Sequence, residues 1–328
     1  MELKHEFEKR FRWYRSMLMR RLVDFDPLSN LIVSGGPRSG STWLGELIAC
    51  TPRSALLFEP LMSFEPGPFR DLGFADDQPI PENAEWPEAK HAFELMLRGH
   101  AITDWNIIHS RSWALSFLTA RRMVVKCVAA NALLPWLVRQ FDFKYQPIFL
   151  IRHPFAVVAS QLKRPKWAQM TPRFEIPECR FRDQIAKHQP FLSELNTRAE
   201  VLTAQWCLCN VGPLTSEHND RRWITVHYEK ILSSPESELQ RIYDRWGLPL
   251  PQKSLRLARR PSTTTQEATF KHGVERQLSK WTGAFSDEAR RRMRRVLDYF
   301  GISIYDEDYL PRRDSPASLA VNPARNEG

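Results

Sequence analysis

Residues 31–44 read Leu31-Ile32-Val33-Ser34-Gly35-Gly36-Pro37-Arg38-Ser39-Gly40-Ser41-Thr42-Trp43-Leu44. A short apolar run enters a tight turn bearing Gly and Pro, and an apolar-periodic segment follows: strand, loop, helix. The turn leaves Ser39, Gly40, Ser41 and Thr42 at the helix start. The first N–H groups of a helix lack intrahelical partners, and the helix dipole adds partial positive charge there. Gly lets the backbone come close to a ligand, and the Ser and Thr hydroxyls add donors. The stretch is expected to cradle a phosphate.

The spacing invites comparison with the Walker A loop, where Lys follows the second Gly. Here Gly40 is followed by Ser41, and the cation is Arg38, inside the loop. An NTPase uses that Lys on the β- and γ-phosphates. This loop is therefore suited to holding a phosphate and poorly built for NTP hydrolysis.

Four further apolar runs read as strands. Residues 55–58 end in Glu59-Pro60, and residues 122–127 carry Lys126 near their end. Residues 146–151 lead to Arg152-His153-Pro154, and residues 223–228 lead to Glu229. Helices are predicted over 43–50, 136–141, 155–163 and, as one long element, 184–211. Ser234-Pro235-Glu236 opens another, and Ser286-Asp287-Glu288 caps a last one running to about Tyr299. Alternating strands and helices imply a parallel sheet covered on both faces. Ligands gather at the carboxyl ends of such strands, which makes Glu59 a functional candidate.

The flanks differ in character. Residues 1–25 form an amphipathic pattern in which Leu3, Phe7, Phe11, Tyr14, Leu18, Leu22 and Phe25 recur at three- and four-residue steps among Lys and Arg. Docking of that stripe on the domain is favoured over contact with an anionic membrane surface. Residues 60–90 are Pro-punctuated and acidic, an irregular loop expected to form a wall or lid of an acceptor site. Residues 164–183 are irregular and basic. Residues 311–328 read as a disordered tail. The expected organisation is an N-terminal helix over 1–29, one domain over 30–310 and the tail.

Of the 328 residues, 42% are hydrophobic and 26% charged, ordinary for a globular protein. A net charge of +9 favours anionic ligands. No zinc-finger or RNP pattern points to nucleic acid. The five cysteines include no Cys-x-x-Cys, so neither a disulfide framework nor a zinc site is expected, and reduced thiols point to the cytoplasm. No apolar run of about 18 residues supports a transmembrane anchor.

Gly36-Pro37-Arg38-Ser39-Gly40-Ser41-Thr42-Trp43-Leu44 resembles the 5′-phosphosulfate-binding loop of the sulfotransferases, which use 3′-phosphoadenosine 5′-phosphosulfate (PAPS). Its Arg-Ser-Gly-Ser-Thr form is similar to the carbohydrate, protein-tyrosine and bacterial branches. The resemblance runs from about residue 30 to 305. It implies a three-layer α/β/α fold with a central five-stranded parallel sheet, similar to P-loop nucleotide kinases.

It also implies two anion sites. The first is the loop Arg38, Ser39, Gly40, Ser41, Thr42 and Trp43. The second is Ile151-Arg152-His153-Pro154 with Ser160, which resembles the family's 3′-phosphate motif. Tyr228 matches a family position near the cofactor. Phe270-Lys271-His272-Gly273 stands where relatives carry a basic loop, and only Lys271 and Gly273 fit that pattern. Trp206 serves adenine stacking or core packing, and both stay open.

The resemblance implies sulfuryl transfer from PAPS to an acceptor hydroxyl or amine by in-line attack, leaving adenosine 3′,5′-bisphosphate and requiring no metal. One branch takes the acceptor proton with a His two residues after the third-strand Lys, but that position is Val128 here. Other branches use a Glu after the second strand, and Glu59 fits. Arg38 would stabilise charge on the transferred group, with Lys126 assisting. The acceptor class stays open among glycan, lipid head group, small molecule and peptide. Competing assignments are a P-loop nucleotide or small-molecule kinase and an idle nucleotide-binding scaffold.

Overall fold

A computed structural model describes residues 14–61, 67–75, 77–109, 114–128, 130–260 and 273–312. Lys271, the first 13 residues and the tail from residue 313 onward lie outside the described residues. Five strands form one sheet: β1 (Leu31–Gly35), β2 (Ser54–Phe58), β3 (Arg122–Cys127), β4 (Ile148–Ile151) and β5 (Ile224–His227). All neighbouring pairs are parallel, in the order β2-β3-β1-β4-β5. Lys126 pairs with Val33 on one side and Phe58 on the other.

The strands are apolar nearly throughout because helices cover both sheet faces. Alternation sorts their side chains. Ile32, Leu57, Met123 and Val125 join the core beneath the helix Pro87–Arg98. Leu31, Val33, Leu56 and Val124 pack with Leu44, Leu47 and Ile48 of the helix Ser41–Ile48. Phe149 and Ile151 join a third cluster with the helices Pro154–Leu162, Arg198–Thr215 and Asp287–Tyr299. The sheet and its covering layers are those expected from the sequence.

Three expectations change. The long helix over 184–211 is instead three elements: Asp183–Ala186, Gln189–Leu192 and Arg198–Thr215. Pro190 sits at the start of the second. The third begins at a capping box: Thr197 Oγ1 accepts from the Glu200 N–H at 3.2 Å, and Glu200 Oε2 accepts from the Thr197 N–H at 3.1 Å.

The stretch 60–90, expected to be irregular, contains the short helix Pro68–Asp71 and the start of the helix Pro87–Arg98, and several of its described residues are packed. Phe69, Phe74, Ile80 and Trp86 are buried. Phe74 stacks on Trp86 at 5.1 Å, and Phe69 meets Phe93 edge-on at 4.9 Å.

The third change concerns the N-terminal helix, described over residues 14–22. It docks through Ser16 and Met19, with Val23 and Phe25 buried just beyond its end. Gly99, at φ +88°, makes room there, since a Cβ on it would come within 2.8 Å of Val23. Arg15 pairs with Asp104, and Arg20 Nε donates to the Ile102 carbonyl at 2.6 Å. The predicted stripe of Tyr14, Leu18 and Leu22 faces outward instead. Among the described residues, no helix is long and apolar enough to cross a membrane.

Candidate active site

All five strands release the chain at one edge of the sheet, onto a cavity of about 1050 Å³. β1 is flanked by β3 and β4, so the strand order reverses beside it; a crevice opens at such a switch point. Gly36 to Trp43, Glu59, Lys126, Arg152, Ser160 and Tyr228 all line this cavity. The predicted residues of both anion sites, Lys271 and Gly273 excepted, and the predicted catalytic residues thus meet in one place.

The loop after β1 is shaped by two residues in the left-handed region, Arg38 at φ +68° and Gly40 at φ +95°. Gly40 is required for a second reason: a Cβ there would fall 2.6 Å from the Tyr228 ring. Gly40 precedes the helix without a side-chain cap, and the helical ladder begins with the Leu44 N–H to the Gly40 carbonyl. The preceding N–H groups are those that a helix cannot satisfy itself. Ser39 Oγ and Trp43 Nε1 are buried and have no hydrogen-bond partner within the protein. Buried donors of this kind are costly unless a ligand meets them.

The second predicted anion site adjoins the first. Arg38 Nε donates to Ser160 Oγ at 3.1 Å, and Arg152 Nη1 donates to the Arg38 carbonyl at 3.0 Å. The Arg152 guanidinium lies over the Tyr228 ring at 4.3 Å, and its Nε is buried without a partner. Burial lowers the Arg38 pKa, and the Arg164 and Arg152 guanidiniums lower it further. Clustered guanidiniums with buried, unmet donors fit an anionic ligand.

A buried polar frame stands behind Arg152. His153 Nδ1 accepts from the Phe155 N–H at 3.2 Å, capping the helix Pro154–Leu162, and Nε2 lies 3.1 Å from the Asp306 carbonyl. Burial pushes His153 down to about 3, so the ring is neutral, with Nε2 carrying the hydrogen. The buried Glu229 carboxylate accepts from the His153 N–H at 2.9 Å and from the Tyr305 hydroxyl at 3.0 Å. Burial raises the pKa of Glu229. Trp206 Nε1 donates to the Arg152 carbonyl at 3.2 Å and also lines the cavity.

Opposite these guanidiniums, Lys126 is 1% exposed and donates to Glu59 Oε1. Alternation along β3 aims the Lys126 stem at the helix Ser41–Ile48. Gly45 admits it there, since a Cβ on Gly45 would lie 3.2 Å from Lys126 Cγ. Its ammonium sits 4.5 Å from the Phe58 ring centre. Burial lowers the Lys126 pKa, and Glu59 opposes that shift. Glu59 leaves β2 at φ +46°, its N–H bonded to the Lys126 carbonyl at 2.7 Å, and its side chain remains 15% exposed. Asn106 Nδ2 secures the preceding Phe58 carbonyl at 2.9 Å.

Gly273 lies outside the cavity lining, although the helix it opens, Val274–Ser279, brings Gln277 to the wall. The structure adds Arg164, Asp77 and Trp281 to the lining. Arg164 was legible only as one cation in a basic stretch. Asp77 lay in a stretch expected to supply a wall. Trp281, stacked on His153 at 4.3 Å, carried no local signal. Among the described residues, no group of three or more His, Cys, Asp or Glu is placed to hold a metal ion.

The sequence matches the Sulfotransferase family over residues 30–252. Several solved structures are similar. The sulfotransferase domain of the Synechococcus PCC 7002 olefin synthase shares 18% identity, over 86% of this chain and 97% of its own, with a TM-score of 0.47. The sulfotransferase domain of the curacin biosynthetic pathway shares 16% over 84% and 98%, with a TM-score of 0.45. Mouse sulfotransferase SULT7A1, complexed with PAP, shares 12% over 88% and 89%, with a TM-score of 0.42. No curated protein matches. The family match covers more than half of the chain and includes all five strands with Arg38, Glu59, Lys126, Arg152 and Tyr228, so the chain belongs to the sulfotransferase family.

Proposed function

We propose that this sulfotransferase uses PAPS and delivers its sulfuryl group to an acceptor hydroxyl or amine, with Glu59 as general base. One observation carries the proposal. Two anion sites, each with a buried unmet donor, are locked together through the Arg38–Ser160 and Arg152–Arg38 hydrogen bonds. That pairing suits a nucleotide with anionic groups at both its 5′ and 3′ positions.

Each part of PAPS has residues suited to it on this reading. The N–H groups of Ser41 to Trp43, with Ser39 Oγ and the Arg38 guanidinium, would hold the 5′-phosphosulfate. Arg152 and Ser160 would hold the 3′-phosphate, and Tyr228, packed on Gly40 and Arg152, would border the nucleotide. When bound, PAPS supplies a sulfuryl group that passes in line to the acceptor oxygen or nitrogen as its bond to the 5′-phosphate breaks. Glu59 receives the acceptor proton on Oε2, while Lys126 holds Oε1 and fixes the carboxylate's direction. Arg38 and the helix N-terminus stabilise the charge gathering on the leaving phosphate.

The test uses the full chain in the presence of EDTA. Calorimetric titration with adenosine 3′,5′-bisphosphate should give roughly micromolar affinity, ATP should bind far more weakly, and labelled sulfate from PAPS should reach an acceptor in a host extract without added metal. Tight ATP binding with phosphoryl transfer, and no bisphosphate binding, would overturn the assignment.

A further inference from the structure

Beyond the anion sites, the cavity holds polar atoms of another kind. Gln161, 7% exposed, and Gln277 each keep a buried side-chain oxygen with no hydrogen-bond partner among the described residues. Trp281, 3% exposed, keeps an unmet Nε1 hydrogen. All three line the cavity, and they arrive from different segments. Gln161 follows Ser160 on the helix Pro154–Leu162. Gln277 stands on the helix Val274–Ser279, and Trp281 lies just beyond it, stacked on His153. A third carboxamide, Gln205, reaches the cavity from the helix Arg198–Thr215. Ionised phosphate and sulfate oxygens only accept hydrogen bonds. They can meet Trp281 Nε1 but neither glutamine oxygen. A ligand filling this part of the cavity must bring N–H or O–H groups of its own or leave both oxygens unpaired, which is costly.

We propose that this wall is the acceptor subsite and that it takes a polyhydroxylated acceptor, a saccharide. The proposal rests on the PAPS reading above and deepens it. On that reading the reacting hydroxyl loses its proton to Glu59 as its oxygen bonds the sulfur and the sulfur's bond to the 5′-phosphate oxygen breaks. A simple alcohol or phenol then has no second hydroxyl for Gln161 and Gln277, whereas a sugar has several. A hydroxyl gives one hydrogen and accepts others, so it complements a carboxamide, which offers an oxygen and two hydrogens. The indoles of Trp167, Trp206 and Trp281 line the same cavity and provide flat apolar surfaces suited to the C–H faces of sugar rings. A peptide carries at most one hydroxyl per residue and matches this wall less well.

The test incubates the full chain and labelled PAPS with a host extract separated into water-soluble saccharide, lipid and protein fractions. Label should enter the saccharide fraction. With that saccharide as acceptor, Gln161→Leu and Gln277→Leu should each raise its KM by about three- to tenfold. Turnover at saturation, melting temperature and affinity for adenosine 3′,5′-bisphosphate should stay unchanged. Label confined to the lipid or protein fraction would overturn the proposal and leave the PAPS assignment standing. An unchanged KM in both variants would also overturn it, and weakened bisphosphate binding in them would assign the carboxamides to the nucleotide instead. A wild-type chain that binds no bisphosphate would overturn the PAPS reading itself and this proposal with it.

Discussion

The two sides of the cavity handle positive charge in opposite ways. Around Arg38, burial and two further guanidiniums, Arg164 and Arg152, lower its pKa. Lys126 is buried almost completely and has its counter-ion in place, the Glu59 carboxylate. A cluster of like charges is costly until an anion arrives, whereas an ion pair built into the wall is self-neutralised. The first side is therefore suited to taking up a ligand's charge. The second is suited to holding one carboxylate in a fixed direction. The proposed roles of anion binding and proton transfer therefore fall on different sides, and substitutions on the two sides should fail in different ways.

The largest effect belongs to the Lys126 side. Glu59→Gln should lower turnover by about 10²–10⁴ while leaving adenosine 3′,5′-bisphosphate affinity intact in calorimetry. Wild-type turnover in this variant would remove Glu59 as the base. On the guanidinium side the reverse pattern is expected. Arg152→Ala should weaken bisphosphate binding by about 10- to 100-fold, with a smaller loss of turnover at saturating PAPS. Unchanged affinity would mean that the two sites do not share one nucleotide.

The smallest effect reads the frame behind Arg152. The folded pKa of His153, about 3, lies below its ordinary value of 6.5 because burial favours the neutral ring. Its contribution to stability is complete above about 6.5 and is lost as pH falls from there toward 3. The slope is about 1.4 kcal/mol per pH unit. Urea unfolding at several pH values below 6.5 should show a steeper loss in wild type than in His153→Gln. Glu229, raised by burial, acts with the opposite sign, so the difference between the two proteins isolates His153. Equal slopes would show that the ring is not held neutral.

Much of this was legible because it is local. Strands β1 to β4 contain continuous apolar runs, and an apolar run buried on both faces needs no distant partner to be recognised. Arg38, Glu59, Arg152 and Tyr228 could be placed because each follows a strand, and parallel strands deliver their carboxyl ends to one edge. The Thr197–Glu200 capping box was also written in the sequence, and it explains why the predicted 184–211 helix divides.

Other features depend on neighbours far along the chain. Trp281 reaches the site by stacking on His153, more than a hundred residues away, and Glu229 is buried against the His153 N–H and Tyr305. The N-terminal stripe gives the clearest case. Its periodicity correctly marks an apolar face, yet periodicity cannot say what that face touches. Polar bonds from Arg15 and Arg20, and the slot that Gly99 opens for Val23, turn the opposite side inward. The sequence alone thus determined the sheet, the anion loop and the strand ends that carry the site, since these follow from local pattern and chain direction. Only the tertiary structure decided which guanidiniums meet, which carboxylate Lys126 holds and which face of the first helix is left to solvent, because those depend on packing between segments remote in sequence.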